Sequence, residues 1–288
     1  MLFLAFSRCF RNFGQVNKNI ASLLCICYNG KNVKLGGLFK MKLVLLTALG
    51  VGGATILGSI IGFLFKNITH KFSDLVLSFA AGVMLAAAIL GLVLPSVEYG
   101  NLVITIAGIF AGAICLNLMD RLVPHMHNLV GADTEAHHGN ANLDKVLLFV
   151  SAIAIHNLPE GIAAGVGFGS DNVANAITVA VGIALQNIPE GIIIVSPLIM
   201  AGISKKRVFL IASFTGLIEI IGTMIGFTAV SIATAILPFA LAFAGGTMIY
   251  IISDEMIPET HSHGYEQMAT YSLLFGFITM LIMDFYIG

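Results

Sequence analysis

The sequence predicts an all-α polytopic membrane protein with eight transmembrane helices. Of its 288 residues, 58% are hydrophobic and only 10% are charged, whereas a soluble globular domain carries about 25% charged residues. The mean hydropathy is +0.96. Apolar runs of about twenty residues, the length that crosses a bilayer as a helix, recur along the chain between polar breaks. These observations indicate one membrane domain with the lipid bilayer as its solvent.

The apolar runs follow one another at short intervals. Each is long enough to cross the hydrocarbon core as a helix, and only one break between them, at 121–143, is long. The eight predicted spans lie near 42–65, 74–95, 101–120, 144–168, 174–199, 207–232, 236–258 and 269–287.

The basic residues beyond Lys42 occur in every second loop up to the fifth. All seven lie in or beside the first, third and fifth loops, and the other loops contain none. Because cytoplasmic loops carry an excess of Lys and Arg, we expect these three loops in the cytoplasm. Both ends of the eight-helix core then face outward, and the protein lies in the cell membrane. The seven residues are Lys66, Lys71, Arg121, Lys145, Lys205, Lys206 and Arg207.

The first forty residues contradict this alternation. They contain six basic residues and no acidic residue, which favours an N-terminus on the cytoplasmic side. Met41 stands directly before the first span. We therefore interpret residues 1–41 as an N-terminal extension, either an over-long start or a removable leader, and 42–288 as the membrane domain. An acid-poor leader that contains Arg is also typical of organelle transit peptides, and would then indicate an organelle membrane.

A heptapeptide motif occurs twice near the middle of the chain. His156–Ile162 reads HNLPEGI, and Gln186–Ile192 reads QNIPEGI. Both copies lie inside apolar runs near the bilayer centre, where an acidic side chain costs roughly 3 kcal/mol. The neighbouring segments supply no Lys or Arg to pair with Glu160 and Glu190. A bound metal cation is therefore the positive partner that we expect.

Each copy of the motif places its polar side chains on one helix face, because residues three and four apart are neighbours there. The proline of each copy removes a backbone hydrogen bond and kinks the helix, which frees a carbonyl group at the same depth. The candidate ligands are His156, Asn157 and Glu160 on the fourth span, and Gln186, Asn187 and Glu190 on the fifth.

Two further side chains extend this set. Glu219 is a third acid at bilayer depth, in the sixth span, and Met84 supplies a thioether from the second. Imidazole, carboxylate, amide and thioether ligands together suit Zn²⁺ and also accept Fe²⁺, Mn²⁺, Co²⁺ or Cd²⁺. Three carboxylates favour two adjacent cations, or one cation and a proton. The alternatives are protonated carboxyls bonded to neighbours and, for Met84, a side chain that fills a gap in the core.

Histidines and acids also occur between the spans. The long loop at 121–143 predicts a cytoplasmic metal-collecting tract or, alternatively, a polar linker. The acids near the seventh span, with the last loop on the outer side, predict a cation-attracting outer vestibule or solvated helix ends. The loop histidines are His125, His127, His137 and His138; the vestibule residues are Glu98, Asp254, Glu255, Glu259, His261 and His263.

The two central motifs resemble the signatures of the fourth and fifth helices of the ZIP family of divalent metal transporters. The stretch 254–259, DEMIPE, resembles the end of that family's seventh helix. Eight spans and a His-bearing third loop also match. The resemblance covers about residues 42–288 and is closest to the GufA-like prokaryotic branch.

This resemblance implies uptake of divalent metal into the cytoplasm through two adjacent metal sites. It also implies that helices 1–3 and 6–8 form an inverted repeat around helices 4 and 5, and that two copies form a homodimer. Some members of the family have Asp where Asn187 stands, and the amide weakens the second site. The implied ligands are His156, Glu160, Gln186, Glu190 and Met84 for the first metal, and Asn157, Asn187 and Glu219, with Glu160 and Glu190 shared, for the second.

We therefore expect a zinc-preferring transporter that works by alternating access. We expect no enzymatic activity, no catalytic cofactor and no nucleic-acid partner. One alternative is a membrane-embedded zinc-dependent hydrolase in which His156 and a carboxylate activate water, although the sequence lacks an H-E-x-x-H pair. Another is a proton-conducting carboxylate pathway without metal.

Overall fold

The computed structural model describes residues 37–65, 68–122 and 141–288, and all regular secondary structure in these residues is helical. These ranges contain eight long helices, which confirms the predicted class, and the helix bounds lie within a few residues of the predicted spans. They are α1 Gly37–Gly62, α2 His70–Tyr99, α3 Leu102–Leu122, α4 Ala141–Gly167, α5 Val173–Met200, α6 Lys205–Ile232, α7 Thr234–Thr260 and α8 Glu266–Ile287.

Seven of these helices are long and apolar enough to cross a membrane by length and composition. The remaining one, α4, has 27 residues and is therefore about 40 Å long, which exceeds the roughly 30 Å of a hydrocarbon core. The four loop histidines, His125, His127, His137 and His138, lie outside the described residues, as do residues 1–36 of the predicted extension.

Two of the helices contain a π-helical segment. In α2 it spans Ala87–Val93, and in α7 it spans Ile252–Met256. A proline follows each segment, Pro95 in α2 and Pro258 in α7. A proline ring crowds the carbonyl four residues earlier, and both of those carbonyls lie inside the wider π turns. The π segments therefore relieve a clash that a regular α-helix would contain.

Helices α1–α3 and α6–α8 are related by a constant offset of 164 residues. Residues 52–63, GGATILGSIIGF, correspond to 216–227, GLIEIIGTMIGF, and residues 77–85, LSFAAGVML, correspond to 241–249, LAFAGGTMI. In α3 and α8 the dipeptide Met-Asp recurs at 119–120 and 283–284. The sequence alone thus carries the repeat that we had expected only from the family resemblance.

The helix contacts follow the same relationship. Helix α1 packs on α5 as α6 packs on α4, and α2 packs on α8 as α7 packs on α3. Related helices are five apart in a chain that reverses direction at each span, so they run in opposite directions. The repeat is therefore inverted, as in many transporter folds, with α4 and α5 exchanged by the same symmetry.

Glycines allow the central pair to lie close to the repeats. A Cβ atom on Gly222 of α6 would lie 2.6 Å from the carbonyl oxygen of Leu158 on α4. In the other repeat, a Cβ on Gly58 of α1 would meet the carbonyl oxygen of Ile188 on α5. Leu158 and Ile188 are the third residues of the two motifs, so these contacts position both motifs directly against α1 and α6.

The last loop lies at the opposite end of the bundle from Glu98. The Nδ1 atom of His263 lies 3.0 Å from Oδ1 of Asp74, near the start of α2, and the ring of His263 stacks on that of His70. Glu98 is close to the end of the same helix. The expectation that the vestibule residues share one outer face is therefore wrong. In an eight-span chain the seventh loop falls on the side of the first, third and fifth.

Candidate metal centre

Four helices meet at the carboxylate of Glu219, which is fully buried in α6. Its Oε1 atom accepts hydrogen bonds from Thr55 Oγ1 of α1, at 2.6 Å, and from the side-chain amide of Asn157 of α4. Its Oε2 atom accepts a 2.6 Å hydrogen bond from Nδ2 of Asn187 of α5. The structure therefore brings the three predicted second-site residues, Asn157, Asn187 and Glu219, into direct contact, with Thr55 as a fourth member.

The four residues of this polar cluster form two symmetry-related pairs. Thr55 and Glu219 occupy equivalent positions of the inverted repeat, 164 residues apart. Asn157 and Asn187 are equivalent in the two motifs. The cluster therefore lies on the symmetry axis of the fold, where side chains from α1, α4, α5 and α6 can all reach one point.

Glu160 and Gln186 lie beside this cluster. Both are buried, and Glu160 lies within electrostatic range of the carboxylates of Glu190 and Glu219 and of the Gln186 amide. Six buried side-chain polar atoms of the described residues have no hydrogen-bond partner, and four of them are here: Glu160 Oε2, both amide atoms of Gln186, and Asn187 Oδ1. Each such atom costs roughly 1–3 kcal/mol. A set of unpaired oxygens at this depth suits the coordination of a cation.

His156 faces the other side of the centre, toward α7. Its Nε2 atom lies 2.9 Å from Oε1 of Glu255, and both side chains are partly exposed. Glu190 lies within electrostatic range of His156. Glu255, which we had placed in a vestibule, therefore contacts a residue of the predicted first site. It stands in the π segment of α7, where the ordinary helical period does not predict which face a residue occupies.

Met84 lies in the main apolar cluster of the protein. Its side chain is fully buried, and the cluster also contains Ile155, Ile183 and Met248. Met248 is the equivalent of Met84 in the other repeat. The core-filling alternative therefore accounts for the position of Met84, and its role as a metal ligand stays a prediction.

The predicted ligands thus form two neighbouring groups. One is the cluster around Glu219; the other is His156 with Glu255; the carboxylates of Glu160 and Glu190 lie in electrostatic contact with these groups. Within the described ranges, no three His, Cys, Asp or Glu side chains converge closely enough to hold a metal ion. A cation at this centre would therefore take amide oxygens as well as carboxylates, which is the mixed set that the two motifs supply.

Comparison with known proteins gives a consistent result. The family model for ZIP zinc transporters matches residues 131–284. The chain is 41% identical to the zinc transporter GufA of Myxococcus xanthus over 63% of this chain and 70% of GufA. It is 32% identical to the zinc transporter ZIP11 of Xenopus tropicalis over 85% of this chain and 97% of the relative. It is 36% identical to the zinc transporter ZupT of Chlorobaculum parvum over 85% of this chain and 96% of ZupT.

The family model covers helices α4 to α8, which carry both motifs and Glu219, and two of these relatives match along almost their whole length. The resemblance that the paired motifs predicted is therefore confirmed. This chain belongs to the ZIP zinc transporter family.

Proposed function

We propose that this protein carries divalent metal cations, and Zn²⁺ in preference to others, across a membrane into the cytoplasm. The observation that carries this proposal is the buried polar centre on the symmetry axis, where carboxylate and amide oxygens of α4 and α5 have no protein partner. The relatives named above are all zinc transporters by name. Fe²⁺, Mn²⁺, Co²⁺ and Cd²⁺ are chemically compatible with the same ligands.

We assign the first cation to His156, Glu160, Gln186 and Glu190, with Met84 as a further candidate. The second position, around Asn157, Asn187 and Glu219, shares Glu160 and Glu190. Its carboxylate already accepts three hydrogen bonds from protein donors. These bonds leave only about one of the four acceptor sites of the carboxylate for a cation, so we expect the first position to bind more tightly. The inverted repeat supplies the two related halves whose relative movement opens the centre to either side.

The orientation follows from the basic residues. Lys71, Lys205 and Arg207 lie at the end of the bundle where α1 and α5 finish and α2 and α6 begin. By the positive-inside rule this end is cytoplasmic, in the cell membrane or an organelle membrane, and both ends of the eight-helix core lie outside. Pairing of two copies stays an expectation from the family resemblance.

The test is zinc flux into liposomes that contain the full-length protein and an internal zinc indicator. Replacing Glu160 or Glu190 by Ala removes oxygens shared by both cation positions, so we expect almost complete loss of flux with normal insertion. Glu266→Gln, an exposed carboxylate at the start of α8, is the matched control and should transport normally. Undiminished flux in Glu160→Ala and Glu190→Ala would contradict the metal centre.

The same liposomes separate the alternatives. A pH indicator in place of the zinc indicator detects a carboxylate pathway that conducts protons without metal. The hydrolase alternative has no support among the relatives, which are named as transporters. A panel of metals in the same assay gives the ion preference.

A further inference from the structure

The cytoplasmic third of α2 contains buried polar atoms that the central site does not explain. Apart from the four central atoms, the described residues leave two buried side-chain atoms without a partner, Asp74 Oδ2 and Ser78 Oγ. They are four residues apart and therefore share one face of α2. Asp74 is only 2% exposed. An unpaired carboxylate oxygen in such a position destabilises the fold, so a role other than packing is expected for it.

The other oxygen of Asp74 orients a histidine of the last loop. Oδ1 of Asp74 lies 3.0 Å from Nδ1 of His263, across the contact between α2 and the loop that joins α7 to α8. When Nδ1 donates this hydrogen bond, Nε2 is the nitrogen with a free lone pair. Ser262 Oγ lies 3.4 Å from Nε2, but it donates its hydrogen to the carbonyl oxygen of Glu259 at 2.8 Å. A carboxylate that holds one imidazole nitrogen so that the other can bind a metal is a recurrent arrangement in metalloproteins. The side chain of His263 is 24% exposed and therefore accessible to a cation.

A second imidazole lies against the first. The ring of His70, the first residue of α2, stacks on that of His263 with centroids 4.4 Å apart and an interplanar angle of 25°. His70 is exposed. Two imidazoles and water suit Zn²⁺ chemically, but structural zinc sites have four protein ligands. A site with two protein ligands binds weakly, which suits a position that a cation occupies briefly.

This pair lies at the end of a continuous contact between α2 and α7. Glu255 of α7 contacts His156 of the central site. The following turn, Ile257–Thr260, packs against the first part of α2, and His263 comes three residues later. The seam between α2 and α7 therefore leads from His156 to His263, at the end of the bundle that we assign to the cytoplasm.

We propose that His263, which Asp74 orients, and His70 form a weak transit site for a divalent cation between the central site and the cytoplasm. Its role in transport rests on the function proposed above, whereas its capacity to bind metal does not. The site accounts for the partnership of a buried carboxylate with a partly exposed loop histidine.

Equilibrium binding of Zn²⁺ to the purified full-length chain tests the site. All samples carry Glu160→Gln, Glu190→Gln and Ser at the four histidines of the long loop, so that neither the central site nor that loop hides the signal. His263→Gln should then bind one Zn²⁺ fewer per chain. His261→Gln is the matched control from the same loop, because its Nδ1 contacts the carbonyl oxygen of Ile257 at 2.8 Å and not a buried carboxylate. Equal zinc binding in the two variants would overturn the proposal.

Flux measurements with the central site intact provide a second readout. We expect His263→Gln to lower the maximal zinc flux by about tenfold, the effect of about 1.4 kcal/mol on a barrier, while His261→Gln transports normally. The two proposals fail separately. Absence of zinc flux in the unmodified protein, together with loss of a bound Zn²⁺ in His263→Gln, would refute only transport. Normal flux with unchanged zinc binding in His263→Gln would refute only the transit site.

Discussion

Thr55 Oγ1 donates a 2.6 Å hydrogen bond to Glu219, although the two residues occupy equivalent positions of an inverted repeat. One repeat therefore contributes a hydroxyl donor at this position and the other a carboxylate. Two carboxylates facing each other here would repel unless cations separated them. Among the described residues, the symmetry axis therefore carries one acid outside the two motifs, Glu219, and a neutral donor satisfies part of its hydrogen-bonding capacity.

The Thr55 hydroxyl should therefore contribute to stability through Glu219. Thr55→Val keeps the shape of the side chain but removes the donor, and we expect the free energy of unfolding to fall by about 1–2 kcal/mol because Glu219 is buried. Thr55→Ser keeps the donor and should lose much less. Melting temperatures of the two purified variants in detergent check this, and equal values for Val and Ser would show that the hydrogen bond contributes nothing.

Asn187→Asp should make the protein depend on zinc for stability. The Nδ2 atom of Asn187 donates to Glu219, so the substitution places two carboxylates in contact, which repel when no cation is bound. We expect a lower melting temperature without zinc and a larger increase on zinc addition than in the unmodified protein. Asn175→Asp is the control, because Asn175 is also buried but donates to the carbonyl of Gly91 outside the centre. It should be destabilised without rescue by zinc.

Gly58 and Gly222, at which α1 and α6 contact the two motifs, should tolerate no side chain. Gly58→Ala and Gly222→Ala introduce a Cβ against the backbone of α5 and α4, and overpacking of this kind costs about 1–3 kcal/mol. Gly50→Ala on α1 is a matched control, because a Cβ there has no neighbour within 4 Å. We expect reduced melting temperature and zinc flux for the first two variants only. Loss of stability in Gly50→Ala to the same extent would contradict this explanation, because Ala favours a helix over Gly and no contact at Gly50 accounts for a loss.

A chain that begins at Met41 should insert and transport like the full chain, because the charges of residues 1–40 conflict with the topology of the core. The structure shows α1 from Gly37 onward, and Lys40 Nζ donates to the carbonyl oxygen of Ser170 at 3.3 Å. This hydrogen bond is a small part of what holds α1, which packs along α5 and α6, so its loss should be tolerated. If the shortened chain reaches normal membrane levels but takes up no zinc, the extension is needed for transport.

The spans and the motif residues could be predicted because they depend on local quantities. A bilayer of fixed thickness requires about twenty apolar residues, and a buried acid in such a run is costly wherever the helix packs. The constant offset of 164 residues is also present in the sequence, in pairs such as Gly58 and Gly222, because the first and last three spans are similar to each other.

Other features depended on how the helices are rotated and arranged. Thr55 is one of many small polar residues in an apolar helix, and only the packing of α1 on α6 brings it to Glu219. Glu255 was expected to face an outer vestibule, but it lies in a π segment, where each inserted residue turns the following side chains by about 100°. A period of 3.6 residues could not predict that it faces His156.

The helical class, the eight spans, the family and the set of acids and amides at mid-depth follow from the sequence, because hydropathy and helical spacing act within one helix. Which of those side chains meet depends on tertiary packing. It paired Asn157 and Asn187 on Glu219, directed His156 to Glu255, and brought His263 to Asp74 at the end of the bundle opposite Glu98. These contacts join residues far apart in the chain, and the close approach of glycine-lined helices sets their geometry.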